Sequence, residues 1–151
     1  MKEFCDQKKY LVIAAAAGII ASFLPWASIS GIINQSVNGL DGDGKLTIVL
    51  FAVAGYFVIK GNKNEELSGN ALYVVIGAFG LAGLIGLYDW SNMTDKLKSI
   101  HETNSKFGFK KSVLDVKIGL GLYLTAIAGV VGVAVPFLLK GKVNKGTENV
   151  D

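Results

Sequence analysis

Four long apolar runs separated by polar stretches organise this chain. They cover residues 10–29, 46–59, 71–88 and 118–139, and none contains Asp, Glu or Lys. A helix on the surface of a soluble protein keeps a polar face opposite its apolar stripe, and these runs have none. Crossing a bilayer takes about 20 apolar residues. Backbone groups in lipid must be satisfied within the segment, so uninterrupted runs of this kind read as helices. The pattern predicts an all-α fold, an integral membrane four-helix bundle in a single domain over 1–151. The expected spans are 10–29, 44–60, 70–88 and 117–139, with outer loops over 30–43 and 89–116 and a cytoplasmic tail over 140–151. The second run is short; Lys60 can snorkel to the headgroups and the start can reach back toward Leu40. Reading the first run as a cleaved signal peptide is disfavoured. Its apolar stretch exceeds the usual 7–15 residues, and three more runs follow.

Within the second outer loop the periodicity changes. Trp90, Met93, Leu97 and Ile100 recur at helical spacing, and Lys96, Lys98 and Glu102 fall off that stripe. This predicts a short amphipathic helix over about 91–104, lying on the membrane, capping the bundle or offering its stripe to a partner. The third run carries Gly77, Gly80, Gly83 and Gly86, one every third residue. Helices in lipid associate through close packing, which small residues permit. The glycine row therefore marks either packing inside the bundle or a groove for a partner or a second copy. Ala78, Ala82 and Gly86 make a second small row, Ala14, Gly18 and Ser22 one on the first run, and Thr125, Gly129 and Gly132 one on the fourth. Pro25 is expected to kink or end the first helix, and Pro136 to kink the fourth. Trp26 and Trp90 are expected at the outer membrane boundary, Tyr10 and Tyr56 at the inner one.

Charge sets the orientation. Lys2, Lys8 and Lys9 precede the first run, Lys60 and Lys63 separate the second from the third, and Lys140, Lys142 and Lys145 follow the fourth. Between the first and second runs, over Ser30 to Lys45, the only Lys is Lys45. The excess of Lys on one side places both termini in the cytoplasm of a multi-pass protein. The Lys residues of 96–117 run against that assignment, and the first hairpin is weighted above them. All 15 basic residues are Lys, so the arginine-rich stripe typical of nucleic-acid binding is missing and that partner is excluded. A single cysteine, Cys5, rules out an intrachain disulfide.

Candidate chemistry is sparse. Asp41-Gly42-Asp43-Gly44 resembles the middle of a calcium loop, but its first ligand position falls on Gly39 and its last on Leu50. Asp41 and Asp43 are therefore a weak cation candidate inside what is otherwise a tight turn into the second helix. His101 is the only histidine and has no cysteine near it, so no zinc site and no cofactor is expected. Ser99 and Ser105 have no productive base, and no catalytic residue is expected. Without ionisable groups deep in the runs, a pump or secondary transporter is not expected either. An oligomeric pore would have to be lined by backbone or by Thr47 and Thr125. An interfacial enzyme would have to use His101 with Asp89, Asp95 or Glu102. Asn34-Gln35-Ser36 and Asn92-Met93-Thr94 match the glycosylation pattern at about the chance frequency for nine Asn. The all-Lys, short-loop style points to a bacterial or phage source.

Phe23-Leu24-Pro25-Trp26 followed by Gly39-Leu40-Asp41-Gly42-Asp43-Gly44-Lys45 resembles small uncharacterised bacterial four-span membrane proteins. These carry Leu-Pro-Trp at the end of span one and a Gly-Asp-Gly turn before span two. The resemblance covers the first third of the chain and implies topology but no activity. The layout is also similar to claudin-like proteins, whose outer-loop Trp and paired Cys are missing here. The expected function is a non-enzymatic membrane protein that binds another membrane protein or itself, in an immunity, exclusion or regulatory role.

Overall fold

The structure is a computed structural model. It describes residues 5–31, 34–62, 65–106, 108 and 114–140, without the side chains of His101, Asn104 and Leu114. Four helices and three strands succeed one another: α1 (Asp6–Phe23), β1 (Pro25–Gly31), β2 (Gln35–Asn38), a 3-10 turn (Gly39–Asp41), α2 (Gly44–Lys60), α3 (Gly69–Lys106), β3 (Leu114–Ile118) and α4 (Leu120–Leu138). The expected tail beyond Lys140 lies outside the described residues, as do Phe107 and the Lys110–Lys111 pair.

The molecule is mostly helical but not all-α, because the end of the first apolar run pairs with the segments before α2 and before α4 into one antiparallel sheet of order β2-β1-β3. The first apolar run is split rather than helical to its end. Leu24 precedes a proline, which disfavours the helical region for it, and it is extended at φ −77°, ψ 159°. Pro25 opens β1, a strand position where its missing N–H costs no ladder bond. Ala27 then faces Val37 on one side and Ile118 on the other, and Ile29 faces Gln35 and Val116.

The second difference is at α3. The expected separate loop helix is a continuation of the third helix, which runs unbroken for 38 residues. Asp89 ends the apolar composition, but no Gly or Pro lies between residues 87 and 106 to end the helix. At 1.5 Å per residue α3 is about 57 Å long, so its second half stands beyond the bundle beside β3.

The helices form a ring in which α1 packs on α2 and α4, and α3 on α2 and α4. Its interior is unusual in composition. Ala14, Ala15, Gly18 and Ala21 of α1, Ala54 of α2, Ala78 and Ala82 of α3, and Ala126, Ala128, Gly129 and Gly132 of α4 are buried. Two phenylalanines fill the centre. Phe51 of α2 and Phe79 of α3 are fully buried and meet edge to face at 5.7 Å. Gly18 of α1 leaves room for the Phe51 ring, and Gly132 of α4 for the Phe79 ring. Ser22 and Thr47 join α1 to α2 by a buried hydroxyl–hydroxyl bond of 2.9 Å. Large apolar side chains point outward on all four helices, among them Ile20, Val49, Leu81, Leu84, Ile127 and Val130.

Two helices, α3 over Gly69–Ile100 and α4 over Leu120–Leu138, are long and apolar enough to cross a membrane. The 18 residues of α1 include Asp6, Lys8 and Lys9, and the 17 of α2 make a rod of about 25 Å. That is shorter than the roughly 30 Å hydrocarbon core.

Candidate functional site

The α3 glycine row does not lie on one face. Residues three apart step back about 60° around a helix, so the row spirals. Gly77 is exposed with open space beside it, and Gly80 has only Val133 at 3.7 Å from where a Cβ would stand. Further along, a Cβ on Gly83 would meet Gly129 Cα at 3.3 Å, and one on Gly86 would meet the Ala126 amide nitrogen at 3.2 Å. The second half of the row is thus packing between α3 and α4, and the first half opens outward. The row spaced by four, Ala78, Ala82 and Gly86, faces the interior throughout.

Along the outer side of the α3–α4 seam run two shallow apolar grooves. One of about 350 Å³ is lined by Gly80, Leu84, Leu87, Val130, Val133 and Ala134 among others. The next, of about 330 Å³, shares Leu87 and Val130 and reaches Trp90 and Tyr123. The rings of Trp90 and Tyr123 meet at 5.6 Å and 62°, which ties the stripe residue nearest the bundle to α4. Beyond it Met93, Leu97 and Ile100 are half-buried while Lys96, Lys98 and Glu102 are exposed. Trp26, just past the end of α1, is an interior residue at 3% exposure. Its indole N–H donates to the Ala21 carbonyl at 3.1 Å.

The Gly-Asp-Gly segment is a turn. Asp41 accepts the Asn38 backbone N–H at 3.1 Å. The Asp43 carbonyl receives the first α2 amides, from Leu46 and Thr47, at 3.0 and 3.2 Å. Gly44 packs directly on the Gly39 backbone, where no Cβ fits. Asp41 and Asp43 are both exposed. Burial holds the half-buried Asp89 carboxyl above its ordinary range, with the charge of Asp43 adding to the rise and that of Lys96 opposing it. Among the described residues no group of three or more His, Cys, Asp or Glu is placed to hold a metal ion.

The opposite end of the bundle holds Gln7, which the sequence did not single out, and Lys8, which it marks only as an orienting charge. Gln7 and Lys8 are 3% and 2% exposed. Gln7 accepts the Leu67 amide at 2.8 Å and donates to the Pro136 carbonyl at 3.4 Å, so one side chain joins α1, the α2–α3 connection and α4. Lys8 donates to the Asn62 carbonyl just past α2, where a cation also complements the negative end of the helix. A signal for both was present: Gln7 and Lys8 continue the buried face of Leu11, Ala14, Ala15 and Gly18 back by one turn.

The residues weighed for pore or enzyme chemistry are dispersed. Thr47 and Thr125 are fully buried and donate to Gly44 and Gly121 of their own helices. Ser99 donates to Lys96 within α3, and the His101 side chain is outside the described residues. Comparison of the chain with known protein families, with curated proteins and with solved structures finds no match.

Proposed function

We propose that this is an integral membrane protein in which all four helices cross the bilayer, and that it acts without catalysis by binding another membrane protein. The observation that carries the membrane reading is the packing: alanine and glycine make up much of the interior around a few large side chains, and large apolar side chains point outward on every helix. In water such an exterior would far exceed the apolar patches monomers tolerate. In lipid it is the expected arrangement, since helices gain from close approach and not from hiding leucines. The helices α3 and α4 are long enough by themselves, and α1 and α2 lie beside them in the same ring. The sheet gathers both loops of one end, which we place outside, with both termini in the cytoplasm. In a Cys5→Ser background, Ser36→Cys is expected to react with an impermeant maleimide in intact cells. Lys140→Cys is expected to react only after permeabilisation. The reverse pattern overturns the orientation, and reaction of both in intact cells overturns the four crossings.

The partner reading is supported by the seam between α3 and α4, where Gly80 leaves a helix surface uncovered, and by Gly77 one turn before it on α3, which has open space beside it. A partner helix laid there makes the close approach that small residues allow. An immunity, exclusion or regulatory role fits such binding in a chain whose described residues assemble no catalytic group. Gly77→Leu and Gly80→Leu are expected to leave the bundle folded and to lower partner co-purification about tenfold, the loss of one good contact patch. Gly83→Leu would wedge α3 from α4 and is not a fair test. Undiminished co-purification with folded Gly80→Leu overturns the seam as the binding face.

A further inference from the structure

We propose that the recess at the end of the bundle opposite the sheet binds a phosphate-bearing zwitterion with the chemistry of a phosphoethanolamine headgroup. The recess measures about 320 Å³ and lies between the start of α1, the last turn of α2 and the segment leading into α3. That volume falls in the range of small-ligand pockets, about 300–1,000 Å³. The two grooves on the α3–α4 seam are walled by apolar side chains. This recess carries charges of both signs over an apolar floor of Phe57, Leu67 and Ala71.

Lys8 is the anchor. A buried ammonium is costly unless its donors are met, and it has three. Among the described residues the Asn62 carbonyl is the acceptor it reaches, so donors remain for an anion. Gly61 keeps that side clear, since a Cβ there would stand 3.1 Å from Lys8 Nζ. Lys60 supplies a second cation on the wall of the recess, exposed and resting over the Tyr56 ring at 5.4 Å. Lys8 and Lys60 both line the recess, together with Glu65 and Glu66, and ammonium groups suit a phosphate. On another part of the wall Glu65 is held by the Asn62 side-chain amide at 3.2 Å, and its carboxylate suits a primary ammonium. A ligand that bridges the two needs a phosphate and an N–H-bearing cation a short chain apart. Such a group comes from a lipid headgroup or from the free compound.

The headgroup source rests on the membrane reading, which maleimide labelling tests separately from lipid selectivity. The test is native mass spectrometry of the full chain in detergent with phosphatidylethanolamine, phosphatidylcholine and phosphatidylglycerol. Retention of phosphatidylethanolamine is expected to exceed that of phosphatidylcholine about tenfold, because a quaternary nitrogen offers no N–H to Glu65. Lys60→Gln and Glu65→Gln, both at exposed positions, are each expected to lower it about tenfold. Lys8→Gln is expected to abolish it. Because that variant also disturbs the end of α2, the surface pair carries the decision. Protection by free phosphoethanolamine without retained lipid supports the site and assigns it to the soluble compound. Equal retention of the choline and ethanolamine lipids overturns the proposal. Retention indifferent to both Lys60→Gln and Glu65→Gln, or a preference for phosphatidylglycerol that survives Glu65→Gln, overturns it as well.

Discussion

Replacing Gly132 with leucine is expected to abolish the folded bundle. A Cβ at that position would overlap the Phe79 ring. The ring cannot retreat, because it is fully buried and set edge-on to Phe51. Phe51 is held in turn by Gly18, where a Cβ would stand 2.5 Å from its ring. Glycine, ring, ring and glycine thus come from α1, α2, α3 and α4, and any enlargement must separate helices. Overpacking a core usually costs about 1–3 kcal/mol; here backbone must move on two sides, and the cost should exceed about 4 kcal/mol, a range reserved for such mechanisms. Thermal unfolding in detergent with size-exclusion profiles is the measurement. Gly132→Leu should give no monodisperse species, and Phe79→Ala should lose about 3–5 kcal/mol through its cavity. Gly77→Ala, at an open position, should stay within about 0.5 kcal/mol. The decisive comparison is Gly132→Ala alone against Gly132→Ala with Phe79→Leu. Contacting residues couple, so the smaller side chain at 79 should recover much of the loss. Additive losses would mean that Gly132 matters for some reason other than the ring.

The four helices were legible in the chain because an apolar run of that length has few alternatives. The extent of α2, Gly44–Lys60, was legible because a Gly-Asp-Gly turn and a lysine bracket it. The sheet was not legible. Its central strand lies inside the first apolar run, and its partner Ile118 is 91 positions beyond Ala27. Nothing local announces a pairing over that distance. Pro25 was read as a kink or an end, and it is an end, but tertiary partners decide whether the chain past a helix end turns, coils or joins a sheet. The break expected after Tyr88 failed for a different reason. Hydrophobicity stops at Asp89, while helicity depends on the absence of breakers and continues to Lys106. Lys8 was counted as an orienting surface charge, since a lysine near a span end usually is one. Its place on the buried face of α1 was legible, but its acceptor, the Asn62 carbonyl, became visible only in the fold. The glycine row was legible as a packing surface, but not its division into a covered and an open half, which depends on how α4 crosses α3.

Trp26→Ala is expected to unfasten the sheet end while the opposite end stays assembled. The indole is the piece around which that end is built. Its N–H reaches back to the last turn of α1. A Cβ on Gly39, in the turn before α2, would stand 2.6 Å from the indole, and one on Gly121, in the first turn of α4, would stand 2.8 Å from it. The Trp26 backbone carbonyl accepts the Gly119 amide at 2.7 Å, where β3 passes into α4. Loss of the side chain leaves a cavity touching α1, α2's entrance and α4, at a cost of about 3–5 kcal/mol. Trp26→Phe keeps most of the ring. The Ala21 carbonyl retains the Leu24 amide at 3.2 Å, so this variant should lose only about 1 kcal/mol, one net hydrogen bond. Hydrogen exchange distinguishes the two ends. In Trp26→Ala the amides of 27–31 and 116–119 should lose protection first, because the backbone ladder there has little other burial to support it. The Leu67 amide, bonded to buried Gln7 at the far end, should exchange at its original rate until global unfolding. Equal loss at both ends would show that the sheet and the inner end open as one unit, and that Trp26 acts on the bundle as a whole.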